Sequence, residues 1–118
     1  MGPTAKTDRA ATALSGLCIF HCLALPVAAS AAPFLAAMAE AEWVHIFFAS
    51  LAVVISASVP FRDSRARTLA FLAPAGLGIV FLIAGVFATR LGTDETLLTV
   101  VGGVLLAAAH IPRMVTFR

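Results

Sequence analysis

Residues 10–39 read AATALSGLCIFHCLALPVAASAAPFLAAMA, a run without Asp, Glu, Lys or Arg, and the segment Cys18-Ile-Phe-His-Cys22 lies inside it. At helical spacing, positions 18, 21 and 22 are i, i+3 and i+4, so Cys18, His21 and Cys22 share one face. A metal loop facing water would sit among polar residues, whereas the neighbours here are Leu, Ala, Ile and Phe. Ionisable groups at membrane depth are rare and costly, and by default they mark a functional site. The two thiols do not suit a disulfide. On a helix, i and i+4 Cβ atoms lie about 5–6 Å apart, and a disulfide needs about 3.5–4.5 Å.

The rest of the chain repeats the apolar character. Of 118 residues, 61% are hydrophobic and 12% charged, against roughly a quarter charged in soluble domains. A small soluble domain buries only about two-thirds of the surface its chain exposes, so a bilayer is the better solvent. Uncharged runs cover Ala10–Ala39, Trp43–Phe61, Thr68–Thr89 and Thr96–Pro112, which is 30, 19, 22 and 17 residues. A spanning helix needs about 17–25. The expected fold is an all-α integral-membrane four-helix bundle, one domain over residues 1–118, with helices at about 10–35, 43–61, 68–89 and 95–112. The first is expected to add a short outer segment broken at Pro33. Lys6, Arg9, Arg62, Arg65, Arg67, Arg113 and Arg118 then fall on one side, and Arg90 joins Glu40, Glu42, Asp94 and Glu95 on the other. Positive charge marks the cytoplasmic face, which places both termini there. A competing reading takes Lys6, Arg9 and Ala29-Ser30-Ala31 as a cleaved secretory signal, which would remove both cysteines; the length of the apolar run and the four-span charge balance oppose it.

Pro26 cannot donate to the carbonyl of Cys22, one turn earlier, and Pro74 and Pro112 release those of Ala70 and Ala108. In lipid such oxygens must be met by a neighbouring helix, a hydroxyl, water or a ligand. Gly78, Gly85, Gly102 and Gly103 would let helices three and four approach closely.

In order of depth, the candidate ligands form a ladder: Glu42 and His45 at the outer rim, His21 and Cys22 near the centre, Cys18 and His110 toward the inside. Each has a plainer reading. A free Cys often only fills core space, His45 beside Trp43 fits an interface residue, His110 fits a partner for a backbone oxygen or lipid phosphate, and Glu40 and Glu42 fit a solvated rim. The combined Cys-x-x-His-Cys face has no packing rationale. Thiolates select soft ions such as mercury or monovalent copper, or borderline zinc, and a bound metal drives thiol deprotonation, with His21 placed to take the proton. The function read from this is transport of a soft metal cation. The alternatives are a redox or haem protein using His45 and His110, which the topology separates, and a non-transporting accessory subunit. The expected partners are the bilayer, the transported cation and a second copy of the chain to help enclose a pathway, with no obligatory cofactor. The net charge of +2 has no basic cluster for nucleic acid. No phosphate-binding glycine loop, His-Glu-x-x-His pair or nucleophile elbow occurs, so no enzyme is expected.

The chain resembles the MerC family of bacterial inner-membrane proteins. The resemblance rests on Leu17-Cys18-Ile-Phe-His21-Cys22-Leu-Ala-Leu-Pro26, on Glu42-Trp43-Val-His45 and on Ala109-His110, and it covers nearly the whole length. It implies four membrane helices, an inner-membrane location and import of mercuric ion through the first-helix thiols Cys18 and Cys22. Mercury-resistance members have Cys-x-x-Cys there and a second pair in the cytoplasmic tail. This chain has Cys-x-x-His-Cys, and the eight residues after His110 contain no cysteine. It is in this respect similar to the broader MerC-domain group, for which zinc or copper suits the histidine as well as mercury does.

Overall fold

Backbone groups inside a hydrocarbon layer must be satisfied within their own segment, which favours helix throughout the apolar runs. The computed structural model describes residues 5–30 and 41–116. The chain is all-α: α1 is Ala5–Ala29, α2 Glu42–Arg62, α3 Leu69–Val86, α4 Ala88–Leu91 and α5 Glu95–Thr116, with a 3₁₀ turn at Ser64–Ala66 and no strand among the described residues. Helices α2, α3 and α5 are long and apolar enough to cross a membrane. The expected segment at Pro33, the residue Ala31 and the rim residue Glu40 lie outside the described residues.

Several boundaries differ from the uncharged runs, because hydropathy reports the solvent and not where helical hydrogen bonding begins. Helix α1 starts five residues before Ala10 and takes in Lys6, Asp8 and Arg9, with Asp8 buried on its inner face. Helix α5 continues through Pro112 to Thr116; a proline's φ is compatible with helix, and its missing N–H costs one bond. Helix α3 stops at Val86, and the short α4 ends at Gly92, whose φ of 67° is left-handed. Asp94 then starts α5, its Oδ1 accepting from the Leu97 N–H at 2.8 Å, as an N-cap residue does.

Helix α5 makes its most extensive contact with α3 and its next with α1, while α2 packs on α1 and α3. The α3–α5 contact is a backbone approach. A Cβ on Gly78 would lie 2.9 Å from the Gly102 carbonyl oxygen, and one on Gly102 would lie 2.9 Å from that of Gly78. Around it Ala52, Val59, Phe71, Ala75, Leu82, Leu106 and Ala109 form the core. Outward, Phe20, Trp43, Val54, Phe61, Leu69 and Val80 are largely exposed. Small and polar residues inside with large apolar residues outside is the arrangement lipid favours; in water that surface would be an unsatisfied patch.

Substituting Gly78→Val therefore drives a side chain into backbone, and overpacking typically costs about 1–3 kcal/mol. Gly76, on the same helix, has nothing within 4 Å of its added Cβ. Thermal unfolding in detergent micelles is expected to show a lowered midpoint for Gly78→Val and little change for Gly76→Ala.

Candidate metal centre

Two polar clusters sit at opposite ends of the helices. The first is built on the inner face of α1 and the first turns of α2 and α5. His21 and Cys22 follow one another on α1, and His45 is on the first turn of α2, where its ring is buried. One ligand atom from each of His21, Cys22 and His45 lies within 4.8 Å of the others. Cys22 Sγ is 3.9 Å from His45 Nδ1. The same Nδ1 is 3.3 Å from Glu95 Oε1, on the first turn of α5. The far nitrogen, Nε2, is 3.1 Å from Thr99 Oγ1. Glu95 and Thr99 are i and i+4 on α5, so one helix face holds both sides of the ring.

The Thr99 hydroxyl can donate or accept. When Nδ1–H donates to Glu95, Nε2 accepts from Thr99; when Nδ1 is used as a ligand, Nε2–H donates to Thr99. The imidazole keeps its orientation in both states, as metal-ligating histidines are usually held by their second nitrogen. Thr99 is fully buried and has room because residue 85 is glycine: a Cβ there would lie 2.8 Å from its hydroxyl oxygen. Above the cluster a cavity of about 420 Å³ is lined by Glu42, His45, Thr89, Arg90 and Glu95. The exposed Glu42 stands on this rim, not among the converging ligand atoms. Cys18 is buried one turn away and does not join the group. Both cysteines are free thiols.

His110 belongs to the second cluster. Its Nδ1 donates to Asp8 Oδ1 at 2.6 Å, and its Nε2 is 3.1 Å from Ser56 Oγ. Arg113 Nε reaches both Asp8 oxygens at 3.3 Å, and its Nη2 donates to Asp63 Oδ2 at 2.6 Å. Phe71 completes the surround, edge-on to His110 with ring centroids 5.1 Å apart and 5.3 Å below the Arg113 guanidinium. Asp8, Ser56 and His110 are all at least 99% buried. These contacts draw the first turns of α1, the end of α2 and the last turns of α5 to one end, while His45 and Glu95 lie at the other. His45 and His110 are thus in separate clusters and do not face one another.

Sequence reasoning named His21, Cys22 and His45 as candidates, together with Cys18, His110 and Glu42, which the structure places elsewhere. It passed over Glu95, Thr99, Asp8, Ser56, Asp63 and Arg113 as site residues, counting Glu95 and Arg113 only in the charge balance. The available signal was weak: Asp94-Glu95 opens an apolar run on the side expected to hold Glu42 and His45.

The fold and site define a class: an all-α protein whose apolar helices suit a membrane and which gathers thiol, imidazole and carboxylate groups at one end. The chain belongs to the MerC family. The family model described as "MerC mercury resistance protein" matches residues 8–115, nearly the whole length. No curated protein and no solved structure matches significantly.

In the second cluster, Asp8→Ala would take from the buried His110 its carboxylate partner and from Arg113 the more buried of the two carboxylates it contacts. Removing one partner of a buried pair costs about 3–5 kcal/mol. Chemical unfolding in micelles is expected to show a loss of that size, with a smaller loss for Asp63→Ala at the more exposed end of the same guanidinium.

Proposed function

We propose that the protein is a permease for a soft or borderline metal cation in the bacterial inner membrane. The observation that carries this reading is the convergence of His21, Cys22 and His45 from two helices. Packing does not require a thiol and two imidazoles to meet, whereas a metal of intermediate softness does. The mercury-resistance description of the family favours mercuric ion as cargo, with zinc and copper as the alternatives that the two histidines suit.

In this reading α1 is a fourth span beside α2, α3 and α5. The basic residues gathered at the Asp8–Arg113 end make that end cytoplasmic. The ion arrives at the rim of Glu42 and Glu95, is held by Cys22, His21 and His45, and passes Cys18 toward the end where His110 sits. Glu42 and Glu95 raise the local concentration of cations at the mouth. Cys22, half-buried between the cavity and Cys18, is the first thiol such an ion meets.

Cells expressing the protein are expected to accumulate at least one of mercury, zinc, copper and cadmium above the level of empty-vector cells. The Cys18→Ser/Cys22→Ser double variant is expected to abolish that accumulation while inserting in the membrane normally. Unchanged accumulation in the double variant would refute the reading. Thr99→Val keeps the volume but takes the hydroxyl from His45 Nε2. Its expected effect is a roughly ten-fold weaker metal affinity, the usual scale for losing the group that orients a ligand, measured by titration of the purified protein.

A further inference from the structure

We infer that the cavity between α1 and α2 at the Asp8–Arg113 end is a binding site for the phosphate headgroup of an anionic phospholipid. The inference needs only that these two helices stand in a bilayer, and it is independent of any transported ion. The cavity has a volume of about 330 Å³. Lys6 and Arg62, both exposed, stand at its mouth. Half-buried Thr7 and Ser58 come next, and Ala10, Val54 and Ile55 form the deeper wall. Val54, Ser58 and Arg62 are successive i+4 positions on α2, a stripe about 12 Å long by helical rise. Along it the wall passes from cation to hydroxyl to aliphatic. A phospholipid presents phosphate, glycerol ester and acyl chain in the same order.

Charge separates this cavity from the others. Asp8 and Asp63, the described carboxylates at this end, both pair with Arg113. Asp8, two residues after Lys6, is turned inward onto His110 and Arg113. Among the described residues neither Lys6 nor Arg62 forms an ion pair, and no carboxylate lines the cavity. The cavity at the opposite end carries Glu42 and Glu95 beside Arg90, and the groove beside Phe71 shares its Arg113 with two carboxylates. Two cations on adjacent helices facing one cavity suit an anion placed between them, and basic pockets between membrane helices on the cytoplasmic side take anionic headgroups. Ser58 already donates to the Ile55 carbonyl at 2.7 Å. The donors for phosphate oxygens are therefore Lys6, Arg62 and the Thr7 hydroxyl. Free phosphate could use the same donors, but the aliphatic wall of Ala10, Val54 and Ile55 offers it nothing, whereas it suits an acyl chain. A lipid held there fastens α1 to α2 at the membrane surface.

The test is native mass spectrometry of the full-length protein released from micelles carrying equal amounts of phosphatidylglycerol and phosphatidylcholine, with inorganic phosphate added in a parallel series. The unaltered chain is expected to retain phosphatidylglycerol in preference to phosphatidylcholine, and excess inorganic phosphate is expected not to displace it. Lys6→Gln and Arg62→Gln should each lower phosphatidylglycerol retention about five-fold, the scale of one basic residue at an anionic leaflet. Arg62→Lys keeps the charge and should lose little. Arg9→Gln removes an exposed charge from the same end of α1, outside the cavity lining, and should leave retention nearly unchanged. Ala10→Leu fills the aliphatic wall with every charge in place and should also lower retention, with an unchanged helical circular dichroism spectrum reporting that it is folded. Equal retention of the two lipids by the unaltered chain would overturn the site. So would a loss in Arg9→Gln equal to those in Lys6→Gln and Arg62→Gln, which would reduce the effect to surface charge. Displacement by inorganic phosphate would overturn the lipid as occupant.

Discussion

The contact on which the rest depends is the backbone approach of α5 to α3 at Gly102 and Gly78, where each glycine lies against the other's carbonyl. Between helices in lipid there is no hydrophobic drive, so association rests on close packing and on polar contacts. Helix α5 directs one stripe inward: Glu95, Thr99, Gly102, Leu106, His110 and Arg113, at steps of three or four. The glycine contact holds the middle of that stripe, and each end carries a polar cluster. A slip of one turn is about 5.4 Å, more than either cluster could absorb. Register at the glycines thus sets the geometry of both Glu95 against His45 and Arg113 against Asp8.

The two clusters use similar groups in different ways. At the basic end, Asp8, Ser56, His110 and Arg113 pair with one another in a buried cluster, and Asp63 ties them to the turn after α2, where it also accepts from the Arg65 N–H. That arrangement fastens α1, α2 and α5 together. At the acidic end, His21, Cys22 and His45 converge beneath a cavity that His45 and Glu95 help to line. The His45 ring is oriented by a hydroxyl that can exchange donor for acceptor. A saturated network resists change, whereas a converging set of lone pairs with an oriented imidazole is suited to receiving a cation.

Membership of the MerC family and this geometry bear on different questions. The family describes a mercury-resistance protein and gives weight to thiols. The acidic end has one thiol among nitrogen and oxygen donors, and the second thiol, Cys18, lies outside that group. The group therefore belongs to α2 as much as to the Cys-x-x-His-Cys segment of α1.

Read alone, the chain determined that its apolar runs are helical, because hydropathy is a local quantity, while charge asymmetry supplied an expectation for the sidedness of its ends. The shared face of Cys18, His21 and Cys22 was legible for the same reason: helical period relates residues a turn apart. Boundaries were less legible. Asp8 precedes the first uncharged run, and its contacts with Arg113 and His110, more than a hundred residues later, make it part of the interior. Tertiary structure alone decided which candidates meet. It brought His45 to Cys22, left Cys18 and His110 out of that group, and set Glu95 and Thr99 against the His45 ring. The physical reason is that a helix's period fixes which residues share a face, whereas its rotation and height against its neighbours are set by packing, here at glycines whose missing side chains let two backbones touch.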